Sequence, residues 1–200
     1  MFDGPDGVGK STQFELAAAA LRKGGHQVYT THLLGGSDIG NALRAIMFSN
    51  AERPAITNLH LSLAIYYALL DNLKNHLDNG EIVLIDRSPL SLYAYQVFGD
   101  GLDEAIGRQA CQEALQAFGP QKVIVYEAPI ETLLQRRQTQ QAQKASDYFE
   151  QQKLDYHRRT TEGYQVATAL FQADTIDASR PIEAVHTATM AVINAALAAN

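Results

Sequence analysis

Residues 4–12, GPDGVGKST, have the types and spacing of a loop that binds phosphate. They match the pattern G-x-x-x-x-G-K-[ST], known as the P-loop, at every fixed position. Gly7 and Gly9 lack side chains, so the backbone there can curl and direct successive N–H groups at a polyphosphate. Lys10 can then reach the β- and γ-phosphates, and the hydroxyl of Ser11 can bind Mg²⁺.

A P-loop joins a strand to a helix, and here the helix is the clearer of the two. After the loop, apolar residues recur at the i, i+3, i+4, i+7 spacing of a helix face, and Gly24-Gly25 ends the run. Only three residues precede Gly4. We therefore expect either that the true start lies upstream or that a shortened first strand runs from Met1 to Asp3. A chance match in a glycine-rich loop is the alternative, and the helix argues against it.

Length and composition fit one domain of about 200 residues with a sizeable core. The formal net charge of −6 excludes a general attraction to nucleic acid or to an anionic membrane, so phosphate binding has to be local. Cys111 is the only cysteine, which fits a reducing compartment. The N-terminal residues do not resemble a signal peptide, and no apolar run has membrane-spanning length. We therefore expect a cytoplasmic protein.

Short apolar runs alternate with helical patterns along the rest of the chain, which predicts a parallel sheet of βαβ units. The predicted strands are residues 28–31, 82–85, 123–126 and 175–177. A short helix is predicted to carry Arg44 and Met47. A single long amphipathic helix is predicted along the apolar stripe formed by Leu59, Leu63, Tyr66, Leu70, Leu73 and Leu77. Further helices are predicted over residues 88–98, 102–118, 147–171 and 181–197. Pro129 opens a further helix, and the polar residues 135–144 are predicted to form the tip of a helical hairpin.

Asp86 and Arg87 follow directly after the continuous apolar run at residues 82–85. Such a run is typical of a strand buried on both faces of a parallel sheet. Ligands of open α/β sheets bind beyond the carboxyl ends of the strands, so this pair is expected to face the P-loop. An ion pair at the strand end without a role in binding is the alternative.

The P-loop and the segment that begins at Asp86 together resemble the thymidylate kinase family of P-loop nucleoside-monophosphate kinases. That family carries an (E/D)GxDGxGK(S/T)T loop and a DRxxxSxxAYQ segment. This chain has DGPDGVGKST at residues 3–12 and DRSPLSLYAYQ at residues 86–96, and the likeness reappears at GGS, residues 35–37, and at Gly163-Tyr164. The resemblance implies a three-layer α/β P-loop fold with a five-stranded parallel sheet in the order 2-3-1-4-5, flanked by helices, with the first strand truncated.

On the donor side, the resemblance implies that Lys10 and Ser11 hold the ATP phosphates and Mg²⁺, and that Asp86 organises the water shell of the metal. Ala178 matches the turn where the family's backbone meets adenine. The implied catalytic residues are Lys10, Asp86 and Arg87. The implied phosphate-binding residues are Gly4, Asp6, Gly7, Val8, Gly9, Lys10, Ser11 and Thr12, and the implied lid, about residues 135–148, offers Arg136, Arg137 and Lys144.

On the acceptor side, the resemblance implies that Arg87 and Arg44 bind the phosphate of the acceptor nucleotide. Asp6 is similar to the acid that contacts its sugar, and Gln96 to a residue near its base. Tyr66 matches an aromatic that stacks on thymine, although a role in the core is an equal alternative. The implied activity is transfer of the ATP γ-phosphate to a deoxynucleoside monophosphate, with dTMP giving dTDP, by a homodimer.

Several arginines of the family pattern are replaced in this chain. His32, Leu70, Asp100 and Tyr148 stand at those places. Arginine is not readily exchanged where it binds phosphate through two parallel hydrogen bonds. Two alternatives therefore stay open. One is a deoxynucleoside kinase, which has an acid-Arg-Ser triplet like residues 86–88, and the other is a nucleotide-binding homologue with weak or no catalysis.

Overall fold

A parallel sheet of five strands, in the order β2-β3-β1-β4-β5, forms the centre of the fold. The computed structural model describes residues 1–141 and 154–199, and for residues 137–141 it describes the backbone alone. The strand order predicted from the family resemblance is confirmed. The strands are β1 (Phe2–Asp3), β2 (Val28–His32), β3 (Ile82–Asp86), β4 (Ile124–Glu127) and β5 (Asp174–Asp177).

The first strand is very short and nevertheless occupies the centre of the sheet. Phe2 pairs with Asp86 of β3 on one side and with Ile124 of β4 on the other. The carbonyl of Phe2 accepts a hydrogen bond from the Arg87 N–H at 2.7 Å, and the carbonyl of Met1 accepts one from the Ile124 N–H at 2.9 Å. These bonds hold the start of the P-loop against the ends of β3 and β4. A short first strand is present, as expected, at Phe2–Asp3.

Helices cover the sheet on both faces, and two buried clusters of apolar side chains lie beneath them. Within the described residues, none of the helices is long and apolar enough to cross a membrane. The helices are α1 (Lys10–Lys23), α2 (Asp38–Met47), α3 (Ala55–Tyr67), α4 (Leu70–Asp78), α5 (Leu90–Leu92), α6 (Glu104–Phe118), α7 (Ile130–Gln141), α8 (Leu154–Leu170) and α9 (Ile182–Ala198). The parts of the predicted hairpin tip and of the helix over 147–171 that fall at 142–153 lie outside the described residues.

The single long helix predicted along the stripe from Leu59 to Leu77 is wrong, because the chain breaks into α3 and α4. At the break, the Leu69 N–H donates to the Tyr66 carbonyl at 3.0 Å, three residues back, which tightens the turn. Leu69 is fully buried there, whereas Leu77 at the far end is 56% exposed. Leu69 belongs to the buried core at this break, and the apolar stripe alone does not reveal the break.

Residues 88–98, predicted as one helix, form the short α5 followed by a π-helix at Tyr93–Gly99. The Asp100 N–H donates to the Tyr95 carbonyl at 2.8 Å, five residues back, as π-helical winding requires. The adjacent α8 packs closely on this segment, since a Cβ on Gly163 would lie 2.9 Å from the Cα of Ala94. This packing brings Tyr164 of α8 beneath the end of β3.

Candidate active site

A cavity of about 640 Å³ opens at the carboxyl ends of the strands and is lined by the P-loop, the ends of β2 and β3, and parts of α2, α3 and the π-helix. Gly7 and Gly9 adopt φ values of +83° and +96°, which side chains rarely allow, so the glycines of the motif have the conformational role expected of them. Gly9 caps α1, and the positive N-terminal end of that helix faces the cavity together with Ser11 and Thr12.

Lys10 lies in the wall of this cavity and is almost wholly buried. Its Nζ donates to the Gly4 carbonyl at a long 3.4 Å. Burial lowers the pKa of Lys10, and the positive charge of Arg87 lowers it further, although nearby carboxylates of Asp6 and Asp86 act in the opposite direction. A buried ammonium group with one long hydrogen bond is well prepared to receive phosphate oxygens.

Asp86 ends β3 beside the P-loop, as its position after the apolar run predicts. Its Oδ2 lies 3.3 Å from Nδ1 of His32, whereas Oδ1 is buried and has no hydrogen-bond partner among the described residues. Burial on its own would raise the pKa of Asp86, but the hydrogen bond with His32 and the charges of Lys10 and Arg87 lower it overall. The carboxylate therefore stays ionised with one oxygen available.

Arg87 has a positive φ of +79°, unusual for a residue with a side chain, and its guanidinium group forms part of the cavity wall. Nη1 donates to the Gly4 carbonyl at 2.9 Å and to the Tyr164 hydroxyl at 2.7 Å, and Nη2 donates to Asp6. A guanidinium group has five N–H donors, so two of them have no partner among the described residues. Those two are available to a bound anion.

Asp6 contacts Arg87 through one carboxylate oxygen and accepts a hydrogen bond from the Tyr95 hydroxyl at 2.8 Å through the other. Sequence reasoning included Asp6 but missed three side chains that hold it and Arg87 in place, which are Asp3, Tyr95 and Tyr164. The position of Asp3 at the carboxyl end of β1, directly before Gly4, is a signal that could have pointed to it.

The opposite part of the cavity contains the residues matched to the acceptor site. Arg44 donates to the Leu34 carbonyl at 2.6 Å and lies over the ring of Phe48, 4.4 Å from its centroid. Tyr66 and Gln96 are buried and line the cavity wall. Oε1 of Gln96 has no hydrogen-bond partner among the described residues, so its amide can pair with a polar ligand. Tyr66 also packs against Phe118, and it is therefore both a core and a cavity residue.

Arg136 of α7 joins the P-loop to the turn after β5. It donates to the Val8 carbonyl at 3.2 Å and to the Ala178 carbonyl at 3.2 Å and 3.1 Å. The structure thus brings Ala178 and one arginine of the expected lid to the same end of the P-loop. The side chain of Arg137 and the whole of Lys144 lie outside the described part of the chain.

The residues that replace family arginines have different surroundings. His32 lies in the cavity beside Asp86. Leu70 begins α4 and is not among the cavity-lining residues that the structure describes. Asp100 accepts hydrogen bonds from Asn58 at 2.8 Å and from the Tyr156 hydroxyl at 3.2 Å, and burial raises its pKa. Tyr148 is outside the described residues. Of these four replacements, His32 alone is described as lining the cavity.

Comparison with known proteins gives a consistent result over nearly the whole chain. The thymidylate kinase family model matches residues 2–189. A thymidylate kinase of Thermomicrobium roseum is 34% identical over 198 residues, which cover 96% of this chain and 92% of that protein. Thymidylate kinases of Nitratidesulfovibrio vulgaris (32% identical, covering 99% and 96%) and Paracidovorax citrulli (30% identical, covering 96% and 90%) are similar over comparable lengths.

Proposed function

The chain belongs to the thymidylate kinase family, and we propose that it transfers the γ-phosphate of ATP to dTMP, giving dTDP and ADP. The observation that carries the proposal is one continuous cavity lined by a phosphate-binding loop, by Arg87 next to that loop and by Arg44 of α2. A nucleoside acceptor would leave the acceptor-side arginines without a phosphate to bind. An acceptor that already carries a phosphate matches this distribution of charge.

ATP would bind with its phosphates in the P-loop and its adenine beside Ala178. Backbone N–H groups of residues 7–12 and Lys10 would bind the β- and γ-phosphates. Arg136, which contacts the carbonyls of both Val8 and Ala178, would hold the phosphate and adenine parts of the donor site in a fixed relation. Together with Gly4 and Asp6 at the start of the loop, these residues form the proposed donor site.

Mg²⁺ fits this site through Ser11 and Asp86. Oδ1 of Asp86 is buried, has no partner among the described residues and would accept a hydrogen bond from a metal-bound water, and Ser11 is exposed and lines the cavity. Mg²⁺ keeps several waters and is usually held by few protein oxygens together with substrate phosphates, which agrees with this small donor set. When bound, the ion would neutralise charge on the β- and γ-phosphate oxygens.

The acceptor phosphate would be bound by Arg87 and Arg44, and the base would lie near Tyr66 and Gln96. Two donors of Arg87 are available within the described structure, which suits two parallel hydrogen bonds to phosphate. The amide of Gln96 can donate to and accept from the polar edge of a pyrimidine. Asp6 belongs to the P-loop, is fixed by Arg87 and Tyr95, and would contact the sugar.

The reaction needs positioning and charge neutralisation more than proton transfer. An oxygen of the acceptor phosphate forms a bond to the γ-phosphorus while the bond from that phosphorus to the β–γ bridging oxygen breaks, and ADP leaves with the electron pair. Lys10 and Arg87 stabilise the charge spread over the transferred group. Arg87 is held by the Gly4 carbonyl and the buried Lys10 lies beside the same oxygen, so little reorganisation is required when the transition state forms.

We further propose one P-loop kinase domain over residues 1–200, with a lid at about 135–148, and a homodimer as the active form. Exposed apolar side chains on α2 and α3, namely Ile39, Ile46, Ile56 and Tyr67, support an association through these helices. Light scattering during size-exclusion chromatography measures the mass, for which we expect about twice the 21.9 kDa of one chain.

A coupled assay of ADP release tests the activity. The enzyme, with Mg-ATP, is offered dTMP, dUMP, the other nucleoside monophosphates and thymidine in parallel. We expect ADP release with dTMP and none with thymidine. Release with thymidine but not dTMP would identify a deoxynucleoside kinase. ATP binding without ADP release from any acceptor would identify a nucleotide-binding homologue.

A further inference from the structure

We propose that Tyr164 is a positioning residue for Arg87, because its buried hydroxyl accepts a hydrogen bond from the guanidinium group and is itself held by Asp3. The kinetic part of this inference rests on the proposed function, since it takes Arg87 to bind the acceptor phosphate. Arg87 lines the cavity, whereas Tyr164 of α8 lies behind it and is fully buried. Tyr164 would therefore act through Arg87 and not by touching the substrate.

The hydrogen bond with Arg87 fixes the Tyr164 hydroxyl as an acceptor on one side. Arg87 Nη1 lies 2.7 Å from the oxygen and can only donate, so the hydroxyl accepts there. The single proton of the hydroxyl serves Oδ1 of Asp3 at 2.9 Å or Ser91 Oγ at 2.8 Å, a contact in which either oxygen can donate. Burial raises the pKa of Tyr164, so the phenol keeps the proton that this arrangement needs.

Asp3 is the fixed point of the arrangement. It is fully buried and accepts hydrogen bonds from the Gly4 N–H at 2.8 Å, the Ser88 N–H at 2.9 Å and the Ser91 N–H at 3.1 Å. The Ser88 hydroxyl adds a bond at 2.6 Å, and the Ser91 hydroxyl, with its single proton, donates to Asp3 at 2.8 Å or to Tyr164. A carboxylate with this many donors has no freedom to rotate, so Tyr164 receives a rigid support.

Arg87 needs such support because its backbone is strained and its side chain faces a large cavity. Its Nη1 bridges the Tyr164 hydroxyl and the Gly4 carbonyl, which links α8 to the start of the P-loop. Without the hydroxyl, Nη1 keeps the Gly4 carbonyl and Nη2 keeps Asp6, so the guanidinium group stays in the site but is less restricted. A loosely held arginine binds phosphate less well, since its donors are no longer aligned.

The test compares Tyr164→Phe with Tyr126→Phe. Tyr126 is a suitable control because it is equally buried and its hydroxyl also forms a hydrogen bond, in this case with Thr189 of α9 at 2.9 Å. Both variants are expected to lower the melting temperature, Tyr164→Phe by more, because its hydroxyl contacts charged partners. Only Tyr164→Phe is expected to reduce kcat/KM for dTMP, by about tenfold to hundredfold, as for the loss of a hydrogen bond from a charged donor.

Two further measurements separate positioning from general damage. The inhibition constant of thymidine, which has no phosphate, is expected to be the same in Tyr164→Phe and the wild type, while KM for dTMP rises. In ¹⁵N NMR spectra of the guanidinium groups, rotation of the Arg87 group is expected to be faster in Tyr164→Phe. Unchanged rotation of Arg87, or an equal kinetic loss in Tyr126→Phe, would overturn the inference. A wild type that does not phosphorylate dTMP would instead refute the proposed function, and the NMR comparison would still decide the role of Tyr164.

Discussion

Replacing Lys10 with methionine is expected to abolish phosphoryl transfer and yet raise the stability of the ligand-free protein. Methionine keeps the length and apolar stem of lysine and removes the ammonium group. Lys10 is only 7% exposed, and within the described structure its ammonium group has one long hydrogen bond, of 3.4 Å, to the Gly4 carbonyl. The lowered pKa of Lys10 shows that burial disfavours the charged form more than the surrounding carboxylates favour it. Removing the charge should therefore relieve a destabilising term.

The size of the effect follows from these contacts. A hydrogen bond of this length contributes little, about 0.5 kcal/mol at most, and relief of the buried charge should exceed it by roughly 1 kcal/mol. For a chain of this length, 1 kcal/mol raises the melting temperature by about 2–4 °C. Transfer to dTMP should fall by at least about 10²- to 10³-fold, the loss seen when one preorganised group of a transition state is removed.

Thermal unfolding with and without Mg-ATP, together with the ADP-release assay, measures both effects. At an Mg-ATP concentration about 100 times the dissociation constant of the wild type, the ligand should stabilise the wild type by about 2.7 kcal/mol. The same concentration should stabilise the variant by much less, because the variant binds Mg-ATP more weakly. Since the pKa of Lys10 is lowered on folding, its destabilising effect is complete below the folded-state pKa and fades as pH rises toward the ordinary pKa of lysine. The stability advantage of Lys10→Met should therefore shrink at alkaline pH.

Lys122→Met is the matched control, because Lys122 is 42% exposed and forms a surface ion pair with Asp174 at 3.1 Å. That pair contributes about 0–1 kcal/mol, so the control should gain no stability and keep full activity. A lower melting temperature in Lys10→Met without ligand would refute the reasoning, because it would mean that Asp6 and Asp86 stabilise the ammonium group by more than its burial opposes. Unchanged turnover would remove the P-loop lysine from the mechanism.

Three further changes test other parts of the site. Asp86→Asn should lower activity about 10- to 100-fold and raise the Mg²⁺ concentration needed for half-maximal rate, measured by titrating Mg²⁺. The reason is that the carboxylate oxygen without a partner among the described residues would lose its charge. An unchanged Mg²⁺ requirement would contradict the proposed role. Gly4→Ala should lower the free energy of unfolding, measured in urea, by about 2–4 kcal/mol, because φ is +135° there and a Cβ would lie 2.4 Å from the Tyr126 carbonyl oxygen. The control is Gly101→Ala, where φ is +75° and the space around the Cβ is open, and it should lower the free energy of unfolding by only about 1 kcal/mol. Equal losses would argue against the close contact. Arg136→Ala should raise KM for ATP about tenfold and leave KM for dTMP unchanged, and a change in the dTMP value alone would place Arg136 on the acceptor side.

Local sequence determined much of the site. The spacing of Gly4, Gly9 and Lys10 required a loop between a strand and a helix, and the apolar run before Asp86 placed that carboxylate at the end of a buried strand. The alternation of apolar runs and helical patterns predicted the parallel sheet, and the family motifs predicted its strand order, which the structure confirms. The loop, the strand before Asp86 and the alternating pattern were inferred from residues close together along the chain. The strand order was inferred from the family motifs.

Only the tertiary structure decided how the site residues are held. Asp3 and Tyr164 are 161 positions apart, and nothing in either local sequence indicates that they share a hydrogen bond behind Arg87. The same holds for Arg136, which contacts the P-loop at Val8 and the turn after β5 at Ala178. The division of the long helix at Leu69 and the π-helical winding at Tyr95 likewise depend on packing against distant elements. Local patterns report which backbone conformation is favourable, whereas these features arise because burial and hydrogen bonding between remote segments outweigh local preference.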